Sequence, residues 1–196
     1  MKEHIRYFDD IAPEWDSLFS DEERLEEAVN KMNISPAEKI LDVGCGTGRL
    51  IPHIQRKLKK TGMVLGLDFS LQMLINAKRK IFKGLNEFVN GYAEELPFRD
   101  DKFDRIICFA VFPHIISKEK AVWEFNRILR RNGILNIFHL KSREELNEFH
   151  KNLNNVINKD LLPDEDTMRR ILKNGGFREI NIINEPSFNY MTCKKT

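Results

Sequence analysis

Three glycines at alternate positions, Gly44, Gly46 and Gly48, lie in the run Ile40-Leu-Asp-Val-Gly-Cys-Gly-Thr-Gly-Arg49, directly after an apolar stretch. Without side chains, such a loop turns sharply and lets its backbone approach a ligand closely. Asp42 stands two residues before the first glycine, and Cys45 lies inside the loop. A dinucleotide fingerprint begins the same way, but it wants a glycine or a small residue where Arg49 stands. Asp68 closes a second apolar run, 20 residues past Gly48. A carboxylate there can accept hydrogen bonds from both hydroxyls of a ribose. Its plainer role is to open the turn Asp68-Phe69-Ser70, and the glycine loop upstream favours the ligand role.

Imidazoles are the other reactive groups. His114 follows the fourth apolar strand, His139 ends the fifth, and His150 lies on the helix after it. They could converge on one site, where an imidazole removes a proton or binds a metal in its neutral form. The structural alternative makes His139 a hydrogen-bonded core residue and places His150 on a solvated helix flank. His4 and His53 have no supporting context.

Alternating strands and helices must position these groups. Residues 20–32 read as a helix with Ser20 and Glu23 as a capping box. Strand 39–43 precedes the glycine loop, and a helix follows to about Lys60. Strand 63–67 ends in Asp68, Ser70 caps a helix to about Phe82, and 87–90 is a short third strand. Strand 105–109 leads to a helix that Ser117 starts and Gly133 ends, then to strand 134–140. Ser142 and Glu145 open a helix with Leu146, Phe149, Leu153, Val156 and Ile157 inward. Asp164 caps a further helix that Gly175 stops. Strands 177–183 and 188–193 are joined too closely for a helical crossover, so they pair antiparallel. The expected fold is α/β: a Rossmann-like, doubly wound seven-stranded sheet, mostly parallel, with an antiparallel last strand and helices on both faces. Ligands of such sheets bind outside the carboxyl ends of the strands.

Composition sets the outer bounds. A chain of 196 residues holds one α/β domain, read here as residues 1–196. A net charge of +2, from 32 basic and 30 acidic residues, lacks the basic excess of a nucleic-acid binder. The basic clusters Arg56-Lys57-Lys59-Lys60, Lys78-Arg79-Lys80 and Arg127-Arg130-Arg131 each close a predicted helix, where cations complement its dipole. No apolar run reaches the length of a membrane span. The charged N-terminus has no apolar core of a secretory signal. Three scattered cysteines form neither a disulfide framework nor a zinc ribbon, which points to a reduced, cytoplasmic protein.

LDVGCGTGRL, GLDFSLQML, YAEELPFRDDKFDRII and RILRRNGILNIF resemble the successive motifs of class I S-adenosylmethionine-dependent methyltransferases. The similarity is greatest to the small-molecule group that includes the ubiquinone and menaquinone biosynthesis enzymes (methyltransferase type 11). The opening YFDDIAPEWD is similar to that group's N-terminal segment. The resemblance spans nearly the whole chain in the right order. It implies methyl transfer from S-adenosylmethionine to a small-molecule acceptor by in-line displacement, with S-adenosylhomocysteine as product. It implies that Asp42 and the loop Gly44-Cys45-Gly46-Thr47-Gly48 hold the methionine end and that Asp68 binds the ribose. Phe69 and Met73 would sandwich the adenine, and Ala93 and Glu94 would face its edge. Tyr92 and Phe109 complete the implied cofactor set, and Tyr7 and Trp15 would close over it. Aromatic faces near a sulfonium contribute about 0.5–2 kcal/mol of cation–π attraction. Simple packing of the N-terminal segment is the alternative for Tyr7, Phe8 and Trp15. His114, His139 and His150 are the candidate catalytic residues.

Two departures from the family pattern matter. Tyr92 stands where the family commonly has an Asp that reaches the adenine amino group, so adenine recognition must be rearranged. Cys108-Phe-Ala-Val-Phe-Pro-His114 replaces the Gly-and-Arg stretch of the quinone enzymes, which argues against a quinone acceptor. The same stretch lacks both the Asn/Asp-Pro-Pro-aromatic motif and the Pro-Cys pair, which argues against DNA methylation. Residues 1–33 are expected to form a helical cap, and 141–166 a substrate-side insertion. The rival readings are a non-catalytic S-adenosylmethionine-binding regulator and a nucleotide-dependent oxidoreductase. The acceptor atom and the oligomeric state are not encoded in any motif.

Overall fold

A computed structural model describes residues 1–18, 21–59, 61–80 and 85–196. The chain divides into two compact units, Met1–Tyr92 and Ala93–Thr196. Seven strands form one sheet in the order β3-β2-β1-β4-β5-β7-β6.

The first unit opens with helices α1 (Lys2–Ile11), α2 (Trp15–Leu18) and α3 (Glu22–Lys31). It continues as β1 (Lys39–Val43), α4 (Ile51–Leu58), β2 (Met63–Asp68), α5 (Leu71–Arg79) and β3 (Leu85–Asn90). β2 pairs parallel with both β1 and β3. Ile40, Leu41, Val43, Val64, Leu65 and Leu67 are all buried, as strands covered on both faces require. The residue at the N-cap of α3 is Asp21, whose side chain makes no capping bond. The expected Ser20 cap and the helix ends at Lys60 and Phe82 lie outside the described residues. Ser70 does cap α5, accepting from the Met73 N–H.

The second unit runs β4 (Phe103–Phe109), α6 (Lys118–Ile128), β5 (Leu129–His139), α7 (Arg143–Lys151), α8 (Glu165–Asn174), β6 (Phe177–Glu185) and β7 (Phe188–Lys195). β4 and β5 are parallel, and β7 lies between β5 and β6, antiparallel to both. The expected capping box of Ser142 and Glu145 is present.

Two expectations need correcting. Gly133 does not end α6. That helix ends at Ile128 and β5 begins at once, with Asn132 rather than Gly133 in the left-handed region (φ 61°). A Cβ on Gly133 would come within 2.7 Å of the Arg130 carbonyl, so the glycine serves packing. Gly175 does end α8 as its C-cap, as expected; a Cβ there would meet Val122 at 2.4 Å, and the left-handed residue is the next one, Gly176 (φ 84°). The helical phase of α7 also differs: His150 is buried and Phe149 is 47% exposed. The helix stops at Lys151, so Leu153, Val156 and Ile157 do not extend its stripe.

Candidate functional site

In the first unit, β1 delivers the chain into the glycine loop. Gly44, Gly46 and Gly48 have φ of 68°, 53° and 77°, a region that side-chain-bearing residues avoid. The Gly44 and Cys45 N–H groups donate to the Leu67 carbonyl at 2.7 and 3.1 Å, which moors the loop to β2. Asp68 reinforces it: Oδ2 accepts from the Gly46 N–H and Oδ1 from the Ser70 N–H, both at 2.8 Å. One carboxylate thus organises both the loop and the entry to α5. Burial pushes Asp68 up to about 6, against the pull of those hydrogen bonds.

Asp42 is also buried, but its Oδ2 has no partner among the described residues. Burial first, and the Asp68 charge second, push its carboxyl up to about 8. Cys45 is packed rather than presented. A Cβ on Gly66 would stand 2.7 Å from its Sγ, so the mid-strand glycine exists to admit the thiol, which burial pushes up.

The N-terminal helices pack onto this loop. A Cβ at Gly46 would lie 3.5 Å from Trp15 Nε1 and 3.9 Å from Met73 Sδ. Phe8 makes edge contacts with Tyr7, Trp15 and Phe69, at centroid distances of 5.2, 6.0 and 5.5 Å. Polar ties fix the arrangement. Ser70 Oγ donates to Asp9 at 2.6 Å, Asn76 to the Ala12 carbonyl at 2.9 Å, and Lys80 pairs with Asp16 at 2.7 Å. Asp9 and Asp16 carried no signal in the sequence, because their partners lie on other elements. Tyr92, the last residue of this unit, is exposed.

In the second unit Ala93 is buried, and Glu94 Oε1 accepts from the Ile116 and Ser117 N–H groups at 3.1 and 3.2 Å. It thereby caps α6, where the Ser117 side chain makes no capping bond. Phe109 stacks on Phe138, which stacks on Phe188, with centroids 6.0 and 5.7 Å apart. Ala110 leaves β4 in the left-handed region (φ 54°), a strained turn that leads into the short 3-10 segment Phe112–His114. Lys118 Nζ holds that segment by donating to the Pro113 and Ile115 carbonyls at 3.0 and 2.9 Å.

The structure brings the histidines together. The His114 and His150 rings lie 5.1 Å apart. His114 Nδ1 bonds Asp160 Oδ2 at 2.8 Å, and His150 Nδ1 bonds the backbone carbonyl of the same Asp160. A carbonyl only accepts, so His150 Nδ1 carries the hydrogen and its Nε2 the lone pair. The Asp160 carboxylate fixes the same tautomer on His114. His139 is buried, and its Nε2 has no partner among the described residues. Burial, and then the nearby His114 and His150, push it down to about 3, so it is uncharged near neutrality. Among the described residues no group of three or more His, Cys, Asp or Glu side chains is disposed to hold a metal ion. Asp160 was missed in the sequence: it precedes α8 without periodicity, 46 residues from the histidine it orients.

Residues 41–137 match the family model described as a methyltransferase domain. The chain is 32% identical over 142 residues to an uncharacterised protein of Methanocaldococcus jannaschii, covering 69% of this chain and 53% of that one. It is 33% identical over 146 residues to the demethylmenaquinone methyltransferase of Thermotoga maritima, covering 71% of this chain and 62% of that one. The chain thus spans about half to three fifths of the length of these relatives. A crystal structure of a Thermotoga maritima S-adenosylmethionine-dependent methyltransferase superimposes with a TM-score of 0.77 over the full length of both chains, at 24% identity. Fold, motif order and family match agree: the chain carries a methyltransferase domain over residues 41–137 and has the fold of the S-adenosylmethionine-dependent methyltransferases.

Proposed function

We propose that this protein transfers a methyl group from S-adenosylmethionine to a small-molecule acceptor by in-line displacement. The observation that carries the reading is Asp42 Oδ2, buried and without a partner among the described residues, beside three left-handed glycines. A buried acceptor without a donor is costly. The α-ammonium of the cofactor's methionine end is a donor of matching charge, so the residues fit the group. Asp42 and the 44–48 loop would hold that end, and Asp68 the ribose. Phe69 and Met73 would take the adenine, with Ala93 and Glu94 at its edge and Tyr92 in place of the usual acid. Tyr7, Trp15 and Phe109 would supply aromatic surface, within a single 1–196 domain capped by residues 1–33. When bound, the cofactor supplies an activated methyl group and a neutral thioether leaving group.

The chain's own part is to position the acceptor and, where needed, to take its proton. His114 suits the second task. Asp160 presents its Nε2 lone pair and stabilises the imidazolium that forms, as an orienting carboxylate does for a catalytic histidine. His150 stands beside it in the same tautomer. His139 stays neutral and contributes a hydrogen bond rather than a base. Segment 141–166, which carries His150 and Asp160, would wall the acceptor site. The three free, buried cysteines suit a reducing cytoplasm, and no helix among the described residues is long and apolar enough to cross a membrane.

Incubation with methyl-tritiated S-adenosylmethionine and a fractionated cell extract tests the reading. Label should enter the small-molecule fraction. Label confined to protein or nucleic acid would overturn the acceptor class. Absence of any transfer would favour a non-catalytic cofactor-binding protein, and tight NAD binding an oxidoreductase.

A further inference from the structure

Two buried polar atoms of the second unit lack partners, and they are neighbours. His139 Nε2 and Asn189 Oδ1 have none among the described residues, and the two residues are 2% and 1% exposed. His139 and Asn189 are directly paired across β5 and β7. Opposed residues of an antiparallel pair send their side chains to the same face, with Cβ atoms about 4.5–5.5 Å apart. The unpartnered atoms therefore belong to one small region of that face.

The amide of Asn189 has a fixed orientation. Asn184 Oδ1 accepts from the Arg143 N–H at 2.8 Å, and Asn184 Nδ2 donates to Glu144 at 2.7 Å. Its oxygen therefore requires a donor from Asn189, which Nδ2 supplies at 2.9 Å. The atom Asn189 leaves over is its oxygen, an acceptor. Whatever fills the region must bring an N–H or O–H.

Charge narrows the class. The burial that strips the proton from His139 penalises a ligand's carboxylate or ammonium in the same way. An anion would also face the lone pair of Asn189 Oδ1. A neutral group suffers neither penalty. His139 Nε2, as donor or as acceptor, can complete its hydrogen bonding.

We propose that His139 and Asn189 form a recognition subsite for a neutral hydroxyl or amine group of the acceptor, which it holds in the unit that carries His114. The proposal rests on the methyl-transfer reading. It assigns His139 to binding and leaves proton removal to His114 and Asp160. It also adds Asn189, which had no signal in the sequence, to the site.

The test compares phenol with benzoate on the full-length, nitrogen-15-labelled protein saturated with S-adenosylhomocysteine. Phenol should shift the imidazole resonances of His139 and the side-chain amide of Asn189, and benzoate at equal concentration should not. His139→Leu and Asn189→Leu should each weaken phenol binding at least tenfold. If the atoms are unpartnered in the free protein, each variant should also melt higher, by about 2–4 °C per kcal/mol of relieved penalty. The loss of the Asn189 amide leaves the Asn184 oxygen still bonded to Arg143. Equal responses to benzoate, no response to phenol, or lower melting temperatures in both variants would overturn the proposal; the last would mean that a structural water already satisfies both atoms. Titration of S-adenosylhomocysteine into wild type keeps the two readings apart. Its failure to bind counts against methyl transfer, and a silent phenol titration on the loaded protein counts against the subsite alone.

Discussion

The candidate sites of the two units bury ionisable groups of opposite kind and treat them alike. In Met1–Tyr92 the buried groups beside the glycine loop are carboxyls, and burial pushes Asp42 to about 8 and Asp68 to about 6. In Ala93–Thr196 they are imidazoles, and burial pushes His139 to about 3 and His150 downward. Both sites thus favour the uncharged form, and they differ in what could restore charge. In the proposed complex a cation would reach Asp42 and draw its proton off. His114 already has a carboxylate partner in Asp160. Under the proposed function the first unit would hold a positively charged ligand, and the second would generate a positive charge during turnover.

The largest expected effect breaks the second half of this comparison. On an identified acceptor that must lose a proton, His114→Gln should lower kcat by about a hundredfold or more, with little change in KM for S-adenosylmethionine. Asp160→Asn should follow it in direction, because the carboxylate that steadies the imidazolium is gone. Unchanged turnover in both would leave positioning as the sole catalytic device.

Next in size is the cofactor half. Asp42→Asn keeps the shape and removes the charge. It should weaken S-adenosylmethionine by about ten- to a hundredfold, the worth of a charge-assisted buried hydrogen bond. Asp68→Ala is a poorer test, since Asp68 also holds the Gly46 and Ser70 N–H groups and its loss would loosen the loop itself. Gly66→Ala probes the same loop through packing. A methyl group there meets Cys45 Sγ at 2.7 Å, and overpacking of this kind costs about 1–3 kcal/mol in thermal or denaturant unfolding.

The pH dependence of stability separates the units by sign. The folded protein binds the Asp42 proton more tightly than the unfolded chain does. The contribution of Asp42 is therefore present in acid and is lost as pH rises from about 4 to about 8. His139 holds its proton less tightly when folded, so its contribution is present above about 6.5 and is lost as pH falls toward 3. Denaturant melts across this range should show Asp42→Asn flattening the alkaline decline and His139→Leu flattening the acid decline. The reverse assignment would contradict the burial argument.

What the sequence disclosed follows the same division. The glycine loop, Asp42 and Asp68 were legible because they are local: a strand, a turn and a helix start in consecutive residues. The antiparallel end of the sheet was legible from the short link around Pro186. The second unit hid more. Phe149 reads as the core-facing residue of α7, yet His150 takes that place because the Asp160 carbonyl gives its Nδ1–H a buried partner. Asp160 and Asn189 act through residues 46 and 50 positions away, and no periodicity marks such pairs. At Gly133 and Gly175 the sequence shows a small residue but not whether it serves a turn or a close contact, and here close contact decides.

The central claim is that the first unit holds S-adenosylmethionine, with Asp42 as the counter-charge. Calorimetric titration near neutral pH, repeated in two buffers of different ionisation enthalpy, tests it most directly. Asp42 is mostly protonated in the free protein at that pH, and a bound ammonium stabilises its ionised form. S-adenosylmethionine and S-adenosylhomocysteine should therefore bind with proton release, NAD should not bind, and the release should vanish in Asp42→Asn. Binding without proton release, equal affinity in Asp42→Asn, or preferential binding of NAD would contradict the account.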